Sequence, residues 1–143
     1  MRAAAGGAEP DDLSPAVVAR IGEICLGLPE SVEQDAWRGV RWRIRQRTFA
    51  HVAHVDPADG SVFSRAAPVP HAVDVVTFRS SGEELESLVR SGYPFYKPQW
   101  SPTVVGLALE PEVDWAEVAE LLTESYCLMA PRRLARLVEP PQA

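Results

Sequence analysis

The sequence predicts an α+β domain, a mainly antiparallel sheet flanked by helices. Three observations carry this prediction. Residues 40–45 alternate strictly between apolar side chains (Val40, Trp42, Ile44) and arginines (Arg41, Arg43, Arg45), which is the period of a half-buried strand. Short strand-like runs are separated by tight turn signals such as Asp56-Pro57-Ala58-Asp59-Gly60, so neighbouring strands join as hairpins. Helical patterns stand before, between and after these runs, enough to cover one side of a sheet.

Each element follows from local chemistry. Ser14 and Pro15 supply an N-cap and a first helical residue, and Val17, Ile21, Ile24, Cys25 and Leu28 fall on one helical face before Pro29 closes the segment. Residues 30–35 lead into the arginine-rich strand. Gln46-Arg47 is the expected turn, and residues 48–55 the return strand. After the Asp56–Gly60 turn, residues 61–65 read as a short strand, and residues 66–72, with Pro68 and Pro70, as loop or edge. Residues 73–78 form a strand. Ser80 with Glu83, or Ser81 with Glu84, forms a capping box for a helix whose inner face is Leu85, Leu88 and Val89 and whose end is Gly92. Residues 93–102 are aromatic and proline-rich, and residues 103–109 are apolar enough for a buried strand. Asp114 with Glu117 opens the next helix, which carries Val118, Leu121, Leu122, Ser125 and Met129 on one face. Pro131 begins a last turn holding Arg132, Arg133 and Arg136.

At 143 residues and 15.7 kDa the chain is expected to be one domain over residues 13–138. The small, acidic residues 1–12 form an expected disordered leader, and residues 139–143 a tail. No apolar run approaches the ~20 residues that span a bilayer, and the start lacks the apolar stretch of a signal peptide, so no membrane partner and a cytoplasmic location are expected. Cys25 and Cys127 lack paired spacing and read as reduced, buried thiols. The net charge of −6 argues against a strong nonspecific polyanion binder. That charge is uneven, however: residues 1–35 hold seven acids and two bases, whereas residues 37–55 hold five arginines and no acid.

Four segments together carry a resemblance. They are the stretch from Gly39 to Val52 ending Thr48-Phe49-Ala50-His51-Val52; Val75-Val76-Thr77-Phe78-Arg79 with Glu83-Glu84-Leu85; Tyr93-Pro94-Phe95-Tyr96-Lys97-Pro98 leading to Val104-Val105-Gly106; and Asp114-Trp115-Ala116-Glu117-Val118 through Ser125-Tyr126-Cys127-Leu128-Met129-Ala130-Pro131-Arg132-Arg133-Leu134. In order and spacing, from about residue 14 to residue 138, the chain resembles the MmcQ/YjbR family of small bacterial proteins. The resemblance implies a helix-flanked antiparallel sheet of CyaY (frataxin-like) type and a DNA-binding label, with no catalytic motif. Gln99-Trp100-Ser101-Pro102 stands where many members carry a glycine-containing loop.

Two clusters could carry function. Arg38, Arg41, Arg43, Arg45 and Arg47, with Lys97, offer cations for phosphates; same-face residues of a strand repeat at roughly 6.6–7 Å, about the phosphate spacing of a nucleic-acid strand. Alternatively the row is a solvated strand face paired with acids such as Asp35, or an edge kept charged against aggregation. Tyr93, Phe95, Tyr96, Lys97 and Trp100 could stack bases or a planar ligand, or could plug the end of the sheet. If the loop borders the arginine face, the two form one site. His51 and His54 are three apart and so point to opposite faces of a strand; with His71 among prolines, no metal site is expected. Glu9, Asp11 and Asp12 precede the first helix and Glu23 stands alone on it, so a solvated leader is preferred to a metal-binding helix. No serine or cysteine has the setting of a nucleophile, and no phosphate-loop motif is present. The expectation is a non-enzymatic, cofactor-free DNA- or nucleic-acid-binding protein. The rival is a small-molecule or protein-partner module whose cleft is lined by Tyr93, Tyr96, Trp100 and His51.

Overall fold

The computed structural model describes residues 12–138. Of the leader expected to be disordered over residues 1–12, residues 1–11 lie outside them, as does the tail expected at 139–143. In chain order the elements are α1 (Pro15–Leu26), β1 (Ser31–Asp35), β2 (Val40–Ile44), β3 (Arg47–Val55), α2 (Val62–Arg65), β4 (Val73–Arg79), α3 (Gly82–Ser91), β5 (Phe95–Tyr96), β6 (Val104–Ala108), α4 (Trp115–Met129) and α5 (Arg132–Val138). The six strands form one sheet in the order β1-β2-β3-β4-β6-β5, every neighbouring pair antiparallel. This is the α+β architecture the sequence predicts.

One face of the sheet carries the main core. Trp42, Ile44, Val52, Val76, Phe78, Val105 and Leu107 pack in one cluster with Ile21 and Cys25 of α1, Leu88 of α3, Leu121, Leu122 and Tyr126 of α4, and Leu134 of α5. Trp42 is fully buried, and its indole N–H donates to Glu33 Oε1 at 3.0 Å, so its polar atom is satisfied. The opposite face is only partly covered. A smaller cluster of Val55, Ala67, Val69, Val75, Tyr96 and Ala108 forms where residues 67–69 fold over it.

A bulge between β2 and β3 ties the sheet to α4. The register shifts after Trp42, which pairs with Ala50 while Arg43 pairs with Thr48, so Phe49 has no partner across the ladder. The fully buried Ser125 meets this need: its hydroxyl donates to the Phe49 carbonyl at 2.6 Å and accepts from the Arg79 N–H at 2.8 Å. The Phe49 ring meets Tyr126 edge-on at 5.3 Å, and the Tyr126 hydroxyl donates to the Pro29 carbonyl at 2.6 Å.

Several local expectations are corrected. Residues 31–35 are an edge strand, which their mostly polar, exposed side chains hid. Residues 62–65 are helical because Ser61 Oγ accepts from the Ser64 N–H and Asp59 Oδ1 from the Ser61 N–H, building a capped turn. The N-cap of α3 is Ser81, and its side chain makes no capping bond, so neither proposed box forms. Asp114 does cap α4, accepting from the Ala116 and Glu117 N–H groups. Cys25 and Cys127 are both outside any disulfide; Cys25 is buried, which pushes its pKa up, whereas Cys127 is only half-buried. Among the described residues no helix is long and apolar enough to cross a membrane.

Candidate nucleic-acid interface

Directly paired residues of a sheet share a face. The register therefore sets one row across all six strands on the face away from Trp42: Gln34, Arg41, His51, Thr77, Gly106 and Tyr96. Arg43 and Arg79, each two residues along from a member of the row, lie on the same face. A cleft of about 320 Å³ opens on this face. Arg41, His51, Thr77 and Arg79 line it from the strands, Arg38 and Trp37 from the β1–β2 turn, Phe63 from α2, and Trp100 from the β5–β6 loop.

The arginines differ in how free they are. Arg41 Nε donates to Gln34 Oε1 at 3.1 Å, and Arg43 donates to the same oxygen at 3.2 Å and to Gln46 Oε1 at 3.1 Å. Arg79 donates to Thr103 Oγ1 at 2.8 Å, with Ser101 Oγ at 3.5 Å. All of these acceptors are neutral. Arg41, Arg43 and Arg79 make no ion pair among the described residues, and their charges stay available to an anion. Arg38, by contrast, sits 3.6 Å from Asp59 and 5.0 Å above the Phe63 ring.

Arg45 and Arg47 leave the row. The β2–β3 connection is the two-residue loop Arg45-Gln46, one position earlier than expected, and Arg45 takes φ +57°. Tight hairpin loops need positive φ to follow the strand twist, and this turns Arg45 away from its strand neighbours. Arg45 instead pairs with Glu30 at 3.0 Å. Arg47 donates to the Met129 carbonyl at 3.3 Å.

The aromatic segment divides. Trp100 joins the cleft. Tyr96 is buried over Gly106 in the smaller core, and the Tyr93 hydroxyl donates to Glu110; neither lines the cleft, so the expected Tyr93/Tyr96/Trp100/His51 pocket does not form as a unit. Lys97 turns inward, its Nζ donating to the carbonyls of Pro98 and Ser101, and thereby holds the loop that bears Trp100. Its pKa is lowered by desolvation.

The three histidines are dispersed. His51 Nε2 lies 2.5 Å from the Arg38 carbonyl, which can only accept, so this nitrogen carries the proton. Burial lowers the His51 pKa, the Arg38 carbonyl bond works against that, and the Arg41 charge lowers it further. The ring is therefore neutral at pH 7, and the charge of the cleft comes from its guanidinium groups. His54 bonds Asp74 at 2.9 Å on the helix side, and His71 lies 3.1 Å from Glu110.

Trp37, Phe63 and Arg79 were not among the expected site residues. Trp37 and Arg38 occupy the tip of a four-residue hairpin loop closed by the Ala36 N–H to Gly39 carbonyl bond at 3.0 Å. Gly39 is required there: its φ is +77°, and a Cβ would run into the Val52 backbone. Nothing local in the sequence shows that this tip, α2 and the β4 end converge.

A family model described as YjbR matches residues 26–128. Uncharacterized protein Rv2570 of Mycobacterium tuberculosis is 25% identical over 119 residues, covering 81% of this chain and 90% of its own length. Uncharacterized protein Mb2600 of Mycobacterium bovis matches to the same extent. Among solved structures, Deinococcus radiodurans protein DR2400, described as a DUF419 domain, superposes with a TM-score of 0.57 at 18% identity, covering 78% of this chain and 76% of its own. That likeness concerns the fold.

Proposed function

The chain belongs to the YjbR family, and from that premise we propose that it is a non-catalytic, cytoplasmic nucleic-acid-binding protein whose open sheet face contacts phosphates. One observation carries the reading: Arg41, Arg43 and Arg79 share that face and, among the described residues, their side chains are hydrogen-bonded only to neutral side chains. Guanidinium groups bind phosphate through a planar fork of donors, and Arg41 and Arg79 have one edge engaged and the rest to offer. Contacts of this kind fix position on a backbone and carry no base preference. The overall charge of −6 limits long-range attraction, so binding is expected to be local and modest.

The test is fluorescence anisotropy of labelled oligonucleotides over a salt series, with wild type and a folded Arg41/Arg79→Ala variant. Affinity that falls steeply with salt and is lost in the variant supports the reading. A wild type that binds no oligonucleotide at low salt removes it. A small molecule held by aromatic packing, the second reading for the same cleft, would bind with little dependence on salt; a cleft of this volume is at the small end for such ligands.

A further inference from the structure

Of the four tryptophans, Trp42 is fully buried and Trp115 is half-buried beneath the Arg20 guanidinium. The other two, Trp37 and Trp100, are 98% and 59% exposed, and both line the cationic cleft. Tryptophan is highly buried on average, and while a single exposed one is ordinary, two exposed indoles on one cavity mark a surface that a partner covers. They come from the β1–β2 turn and the β5–β6 loop, 63 residues apart in sequence. Each loop is fixed by bonds that do not involve the indole: the Ala36–Gly39 backbone bond under Trp37, and the Lys97 ammonium on the Pro98 and Ser101 carbonyls under Trp100. The loops thus hold both rings outward beside Arg41 and Arg79.

Resting on the nucleic-acid reading above, we propose that this cleft takes an unpaired nucleotide of a single strand, its base stacked on the exposed indoles of Trp37 and Trp100 and its phosphates held by Arg41 and Arg79. Only an unpaired base can offer its face. In a duplex the faces are occupied by neighbouring bases, leaving edges and phosphates. Aromatic platforms beside a basic groove bind single strands with little sequence preference, because every base has a π face.

The experiment compares four labelled probes at one low salt concentration: an oligothymidylate, an oligomer of equal length with abasic sites, a duplex of equal length, and an oligouridylate. Each is titrated by anisotropy and tryptophan quenching against wild type and Trp37/Trp100→Ala. Both residues are exposed, so the variant is expected to fold, and its circular dichroism is checked first. The expected result is that oligothymidylate binds at least about five-fold tighter than the abasic oligomer or the duplex and quenches tryptophan emission. The variant then binds oligothymidylate only as well as wild type binds the abasic oligomer, while its own abasic affinity is unchanged. Oligouridylate binding with the same quenching also supports the proposal, since it too presents unpaired bases. If the abasic oligomer and the duplex bind as tightly as oligothymidylate, or if the tryptophan variant changes nothing, stacking is overturned and phosphate binding stands. If no probe binds, both fall.

Discussion

The ring of Tyr96 occupies the space that a Cβ on Gly106 would need. The two are cross-strand partners at the β5–β6 edge, and the missing side chain is what lets a two-residue strand bury an aromatic ring against the sheet. Gly106→Ala is therefore expected to destabilise the fold by about 1–3 kcal/mol through overpacking. In the Tyr96→Ala background the same change should cost less than half as much. Urea unfolding of the four proteins decides it, and equal costs in both backgrounds would contradict the contact.

Ser125 is the bolt between α4 and the β2–β3 bulge. Ser125→Ala leaves the Phe49 carbonyl and the Arg79 N–H without their partner, an expected loss of about 2–3 kcal/mol. Chemical denaturation measures it; a loss under about 0.5 kcal/mol would mean that water replaces the hydroxyl.

The arginines are expected to separate by position. Arg41→Ala and Arg79→Ala should each weaken oligonucleotide binding and lower the slope of log affinity against log salt by about 0.7–0.9. Arg45→Ala should leave both quantities unchanged, because Arg45 is turned away and paired with Glu30. Anisotropy titrations over salt test this, and an Arg45 effect equal to that of Arg41 would refute the assignment.

His51 gives a pH signature. Its folded pKa lies below the ordinary value of 6.5, mainly because the ring is desolvated. Below pH 6.5 the unfolded chain binds a proton that the folded one does not, so stability present above that pH is lost as pH falls toward the folded value. Between about pH 7 and pH 5 the wild type should lose more stability than His51→Gln. Thermal or urea unfolding at a series of pH values checks the difference; parallel curves would show that His51 contributes none of it.

Much of this was readable in the chain. The alternation of Val40, Trp42 and Ile44 with arginines marked the core face of β2, and the Ser14-Pro15 and Asp114 signals marked the starts of α1 and α4. Those features depend on periodicity and capping, which neighbouring residues settle among themselves. The sequence also placed His51 and His54 on opposite faces of one strand, as found.

What the sequence could not decide was which residues meet. Arg45 fits the strand pattern as well as Arg43 does, and only the tight turn into β3 removes it. Lys97 and Tyr96 read as ligand groups until the loop carbonyls and Gly106 claim them. Trp37, Phe63, Arg79 and Trp100 come from four separate segments and share a cleft because antiparallel register carries the strands and loops to one face. The sequence by itself determined the α+β class, the core-facing strand positions and the presence of an acid-free arginine stretch, because these follow from local period and charge. The tertiary structure alone decided which guanidiniums lie outside ion pairs among the described residues and which indoles stay exposed, because pairing and burial depend on neighbours that are distant along the chain.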